Sequence, residues 1–248
     1  MPATVTTQRP TVPIPVDWCL DGRDLTEPRP SPDGAVVGVV VRWQRSTAIV
    51  LVPADGGPER LLTTEPPPSP GRGLGGGCYD WLADSSGIVY VAADGELWCQ
   101  PLAGSPRRLT AFERTCRAPT VSPCGSFAVV VVDEAEVWRV PLDPGDPAGP
   151  GNPGVSGDPD APVRLDDGAD AFCFDPDVSA DSARVVWVGW NPPSMPWDAA
   201  QLVTATVGAG AIEHVRWGLP EASVQQPRWC ADGSLACVHD GSGWLNVH

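Results

Sequence analysis

One turn signal recurs five times along the chain, and an apolar run follows it each time: Ser31-Pro32-Asp33-Gly34, Ala83-Asp84-Ser85-Ser86, Ser122-Pro123-Cys124-Gly125, Ser179-Ala180-Asp181-Ser182 and Ala231-Asp232-Gly233-Ser234. Asp and Ser side chains bond to the backbone two residues on, and Gly supplies a positive φ, so such tetrads reverse the chain. The runs behind them are AVVGVVV, GIVYVA, FAVVVV, ARVVWVGW and SLACVH. They are short and mostly rich in β-branched residues, which suits central strands.

A second landmark keeps the same period. Glu96-Leu97-Trp98-Cys99-Gln100-Pro101-Leu102 matches Glu136-Val137-Trp138-Arg139-Val140-Pro141-Leu142; Trp98 to Trp138 is 40 positions, and so is Asp84 to Cys124. A third element ends in Arg-Leu, in PERLL at 58–62, PRRL at 106–109 and PVRL at 162–165. The tetrads are 51, 40, 57 and 51 residues apart, and the longest interval holds DPGDPAGPGNPGVSGDPDAP, residues 143–162. That Pro/Gly-rich segment has no apolar period and is expected to be a disordered surface insertion.

A strand-rich unit of this length, repeated with turns between strands, predicts an all-β fold: a β-propeller of four-stranded antiparallel blades. A four-stranded blade cannot bury both its apolar faces alone, so neighbours must stack. No long segment has the i, i+3, i+4 spacing of a helical repeat. About five blades are present, in residues 18–248, after an N-terminal extended segment at 1–17. The last is unfinished, because the sequence ends within HDGSGWLNVH. The expectation is therefore an incomplete ring, a piece of something longer; the alternative is a ring closed by VPIPVDW near the N-terminus.

Sixteen Lys+Arg against 31 Asp+Glu leave a net charge of -15, and every basic residue is arginine. A nucleic-acid partner needs a cationic field and is not expected. The N-terminal stretch lacks a basic region followed by a continuous apolar one, and no run is long enough to span a bilayer. No membrane partner is expected, and the chain is read as cytoplasmic. The eight cysteines contain no C-x-x-C pair and sit mostly in strand-like runs such as ELWCQPL, so they read as reduced, buried hydrophobes. The turn aspartates Asp33, Asp84, Asp181 and Asp232 are expected to accept backbone N–H groups. Spread over different blades, they do not make a calcium loop, and neither a metal nor a cofactor is expected. Trp98 and Trp138 share one blade position, which points to core packing, and Gly75 to Gly77 to a bulge or tight approach to a strand.

The stretch VVWVGWNPPSMPWDAAQLV, residues 185–203, stands apart, because a strand-like run passes into Pro192, Pro193 and Pro196 before a second strand-like run begins. In one reading it is a rigid hairpin connection whose prolines fix φ while Met195 and Trp197 pack over the neighbouring blade. In the other it is a substrate rim, with Asn191, Met195, Trp197 and Asp198 as candidate site residues.

GWNPPSMPWDAAQL, with EASVQQPRWCADGSLACVHDGSGWLNVH after it, is similar to the propeller of dipeptidyl aminopeptidase/acylaminoacyl-peptidase-type enzymes of the prolyl oligopeptidase family. Trp190, Pro193, Met195, Pro196, Trp197 and Asp198 carry the first part of the resemblance. Glu221, Ser223, Pro227, Trp229, Asp232, Gly233 and Leu235 carry the second, and Gly243, Trp244 and Asn246 the last. Gly75, Gly76 and Gly77 resemble the family's Tyr-Gly-Gly-Gly segment, with Leu74 in place of the aromatic; Asn191 and Pro192 depart from its usual Asp-His. The resemblance implies a non-catalytic propeller that precedes an α/β-hydrolase domain with a Ser-Asp-His triad, and that gates and orients short peptide substrates for it. No G-x-S-x-G nucleophile turn occurs in this sequence, so no catalytic residue is assigned. A free-standing propeller that binds a partner protein is the alternative.

Overall fold

The computed structural model describes residues 22–44, 46–63, 65–71, 75–142, 161–207, 212–219 and 222–248. The 1–17 segment with VPIPVDW, nearly all of the 143–162 insertion, Cys19, Leu74 and Glu221 lie outside them. The described chain is all β, in five antiparallel sheets.

Blade 1 holds β1 (Asp24–Pro30), β2 (Val36–Trp43), β3 (Ser46–Pro53) and β4 (Arg60–Leu61). Blade 2 holds β5 (Tyr79–Trp81), β6 (Gly87–Val91), β7 (Leu97–Pro101) and β8 (Arg107–Arg108). Blade 3 is β9 (Cys116–Val121), β10 (Phe127–Val132), β11 (Glu136–Pro141) and β12 (Val163–Arg164). Blade 4 is β13 (Phe172–Val178), β14 (Arg184–Trp190), β15 (Gln201–Thr206) and β16 (His214–Trp217). Blade 5 has three described strands, β17 (Val224–Trp229), β18 (Leu235–His239) and β19 (Asn246–Val247). Within each sheet the strands pair in sequence order, and among the described residues no pairing joins blade 5 to blade 1. The expected propeller is what the structure has, and among the described residues its ring is not closed by hydrogen bonds.

Each repeated sequence element takes one place. The tetrads make the turns between first and second strands, where Asp33, Asp84, Asp181 and Asp232 accept the N–H of Ala35, Ser86, Ala183 and Ser234 at 2.9–3.0 Å. The Arg-Leu elements provide the two-residue fourth strands. Trp98 and Trp138 occupy the same third-strand position, packed against the core, each with its indole N–H on a carboxylate, Asp94 or Glu136. Ala161, next to the end of the 143–162 segment, is buried. Of the described cysteines, five are buried and only Cys124 is exposed; all are free thiols.

Strand alternation builds the core between blades. In β10, Ala128, Val130 and Val132 face Val89, Val91 and Leu97 of blade 2, while Phe127, Val129 and Val131 face Val185, Trp187 and Val203 of blade 4. Val40 and Ile49 meet Tyr79, Trp81 and Tyr90 between blades 1 and 2, and Val186, Val188 and Trp190 meet Val224 and Cys237 between blades 4 and 5. Polar latches cross the same seams. Asp80 accepts the N–H of Val121 at 2.8 Å, Thr120 donates to the Pro176 carbonyl at 2.8 Å, and Asp177 accepts the N–H of Trp229 at 2.7 Å.

Four innermost strands share a device that single turn signals do not reveal. Glu27, Ala118, Asp175 and Gln226 have φ of 54°, 48°, 52° and 53°, each precedes a proline, and the strand register shifts there. Two residues then oppose one on the partner strand, which is a β-bulge, a feature that re-aims side chains.

Candidate functional site

In a four-stranded antiparallel blade, the second-to-third turns and the blade-to-blade connections share one end. The tetrads lie at the other. The first end collects the 191–200 loop and residues 66–71 and 75–78 from the connection between blade 1 and blade 2. Here the chain approaches the bulges as only glycine can. A Cβ on Gly75 would lie 2.5 Å from Cγ of Asp175, one on Gly76 2.3 Å from Cβ of Ala118, and one on Gly77 2.5 Å from Oε2 of Glu27. All three have φ between 64° and 101°. The triple glycine thus lies against the inner strands of blades 1, 3 and 4.

Charged groups fasten it. Glu27 accepts the N–H of Gly71 at 2.8 Å and of Cys78 at 2.5 Å; Arg29 donates to the Gly76 carbonyl at 2.5 Å and to Asp80 at 3.3 Å. Asp175, 1% exposed, takes an ion pair at 3.1 Å from Arg228 of blade 5. Burial pushes the carboxyls of Asp175, Asp80 and Asp177 upward, against the pull of Arg228 on the first and last and Arg29 on the second.

The 191–200 loop connects β14 to β15, the hairpin of blade 4 that the flanking runs predict. Asn191 is spent at its base: its side chain accepts the N–H of Ala171 at 2.7 Å and donates to the Ala169 carbonyl at 3.1 Å. Asp198 closes a turn on its own loop, its carboxylate accepting the N–H of Met195 at 3.3 Å while the Met195 carbonyl takes the N–H of Asp198 at 2.9 Å. Met195 and Trp197, which the rigid-hairpin reading packs over the neighbouring blade, are 42% and 62% exposed. The turn that Asp198 closes keeps them at the surface, something strand periodicity does not encode.

Of the four candidates, Trp197 alone lines the crevice beside Gly75. With Pro196 it walls this crevice, of about 140 Å³, whose other side is Phe174 on β13 and Ser223, Gln225 and Gln226 at the start of blade 5. Phe174 meets Trp190 edge-on at 5.1 Å, which fixes its ring. Asn191 borders a different, wider cleft of about 510 Å³ with Trp190, Ser194, Arg216 and Leu219. Arg216 there is bound by Asp167 at 2.8 and 2.9 Å and by Asp170 at 2.9 Å, and its hydrogen bonds hold the Asp167 carboxyl down at about 2. Sequence reasoning missed Phe174, Gln226 and Asp175. The signal was the proline five residues before the tetrad Asp or Cys, at Pro28, Pro119, Pro176 and Pro227.

His214 bonds the Leu165 carbonyl at 2.7 Å and His239 accepts the N–H of Gly241 at 3.2 Å, so neither is set as a base beside a nucleophile. Among the described residues, no group of three or more His, Cys, Asp or Glu could hold a metal ion.

No protein-family profile and no curated protein sequence matches the chain. Solved structures share its fold. A crystal structure of puromycin hydrolase is similar over 96% of this chain, with 24% identity and a TM-score of 0.73, and a Mycobacterium tuberculosis puromycin-hydrolyzing peptidase over 95%, with 24% identity and a TM-score of 0.74. This chain spans 39% and 38% of theirs. A putative TolB from Agrobacterium tumefaciens is similar over 85% of the chain, with 21% identity and a TM-score of 0.58.

Proposed function

We propose that this chain is the non-catalytic propeller of a serine peptidase resembling the prolyl oligopeptidase family, and that its axial end gates and orients short peptides for an α/β-hydrolase domain. The observation that carries the reading is the fold match to two puromycin-hydrolysing enzymes over nearly the whole of this chain and under two fifths of theirs. The Trp-x-x-Pro-x-Met-Pro-Trp-Asp loop supports it from the sequence side, since it stands at the end where the crevice opens. In this reading the propeller binds and excludes, and the hydrolase domain supplies nucleophile, base and oxyanion hole.

The test is made on the full gene product that carries this chain. A fluorophosphonate should label a serine outside residues 1–248, and Trp197→Ala should raise KM for a peptide amide while leaving the hydrolysis of a small acetate ester unchanged. A product that neither labels nor cleaves peptides sinks the reading. It would favour the second one, a protein-binding module, for which the exposed Trp244, Leu245 and Val247 of blade 5 speak.

A further inference from the structure

We infer that the crevice between Trp197 and Phe174 is a subsite for one uncharged aromatic side chain of a bound peptide. The inference rests on the peptide-handling reading above and assigns to it a place and a preference.

Size, shape and charge carry it. About 140 Å³ is far below the volume of a whole-ligand pocket but close to that of cavities that take a single benzene-sized ring. Two aromatic residues stand at its sides, and both are held in advance. Phe174 is pinned against Trp190, and Trp197 rides on a turn fixed by Pro196 and by the carboxylate of Asp198. A ring entering between them gains offset or edge-on contacts with little ordering cost.

The lining also excludes charge. In a molecule of net charge -15, none of the described residues that line this crevice is ionisable, and Asp175 behind Gly75 is paired with Arg228. A carboxylate or ammonium group seated there would lose water without gaining a counter-ion. The amides of Gln225 and Gln226 and the hydroxyl of Ser223 sit beside the aromatic walls, placed to serve the peptide's backbone N–H and C=O groups. Gln226 owes its position to the bulge, where φ of 53° turns it out of the strand. Asp198 is a positioning residue in this scheme, acting only through the turn that presents Trp197.

The experiment uses the 248-residue chain, labelled with ¹⁵N at its tryptophan indoles and backbone amides and titrated with acetylated Ala-Phe-Ala, Ala-Glu-Ala and Ala-Lys-Ala amides. The phenylalanine peptide should shift the Trp197 indole resonance and bind about tenfold or more tightly than the glutamate peptide. Trp197→Ala, at an exposed position where folding is not at risk, should weaken the phenylalanine peptide about two- to tenfold. Gln226→Glu should raise the affinity for the lysine peptide and lower it for the glutamate one. Equal binding of phenylalanine and glutamate peptides, or shifts confined to other residues of the axial end and indifferent to Trp197→Ala, overturns the subsite and leaves the peptide-handling reading in place. No shift at any residue with any peptide overturns both.

Discussion

Blades 3 and 5 start from the same plan and differ in their neighbours. All six residues of β10 are at most 3% exposed, whereas in β18 only Cys237 and His239 are buried and Trp244, just ahead of β19, is 80% exposed. Blade 3 is covered on both faces by blades 2 and 4; among the described residues blade 5 is covered on one. A blade's burial is therefore lent by adjacent blades, as in any repeat array where stability is a sum of units and interfaces.

The sharpest way to break this contrast is to bury a charge at matched second-strand positions. Val131→Asp places a carboxylate among Val185, Trp187 and Val203 with no partner, and should cost about 4 kcal/mol or more, enough to abolish cooperative folding. Val238→Asp, on the half-exposed β18, should cost no more than about 1 kcal/mol. Urea midpoints of the two variants decide it. Equal losses would mean that blade 5 is covered on its second face as well.

Glycines extend the comparison from blade faces to the two ends of the propeller. Gly34, in the first tetrad, has φ of 71° and nothing within 4 Å of a built Cβ, so Gly34→Ala should cost only the left-handed backbone, about 1–2 kcal/mol. Gly76 has φ of 73° and would drive its Cβ to 2.3 Å from Ala118, so Gly76→Ala should lose that much and about 1–3 kcal/mol more from overpacking. Thermal unfolding of both variants separates the terms. A milder Gly76→Ala would show that residues 75–78 can slide away from the inner strands.

Much of this was legible in the sequence, and what was not has physical reasons. Tetrads, fourth-strand Arg-Leu elements and the matched Trp98 and Trp138 announced the blades, because turn chemistry and burial leave local marks at a fixed period. The 185–203 stretch was placed on its hairpin for the same reason. The surface place of Trp197 was not legible: one hydrogen bond from Met195 to Asp198 keeps it there, and no periodicity reports that. The axial cluster escaped because Glu27, Ala118, Asp175 and Gln226 share no side-chain chemistry. What they share is a following proline, which alone reads as an ordinary turn signal.

The seam latches sharpen the contrast through pH. Burial raises the Asp177 carboxyl, so its stabilising contribution is full below the ordinary carboxylate range and is lost as pH rises through the raised folded-state value. Asp167 runs the other way: hydrogen bonds from Arg216 hold it down at about 2, and its contribution is present above the ordinary range and lost as pH falls toward 2. Asp177→Asn keeps an oxygen for the Trp229 N–H and removes the buried charge. The variant should gain on the parent protein between pH 4 and pH 7 in urea midpoint. A constant offset at the two pH values contradicts the assignment.

The smallest effect belongs to the one tetrad that breaks the pattern. Cys124 stands where the other four carry Asp, with Sγ 3.0 Å from the Ser126 hydroxyl and 3.4 Å from that of Ser122. Slight burial works to raise this thiol, but the hydroxyls of Ser122, Ser126 and Ser182 outweigh it and bring the thiol down to about 6. Cys116, inside the blade 2 and 3 seam, is pushed up to about 12 by burial. Iodoacetamide should therefore label Cys124 in the folded protein at a rate that rises through pH 6 and levels off above it, while Cys116 reacts only after unfolding. Cys124→Asp should restore the repeat's own acceptor and change stability by no more than about 1 kcal/mol, since the turn is exposed to water. Labelling of Cys124 that keeps climbing through pH 9 would mean that its serines hold the thiol, not the thiolate.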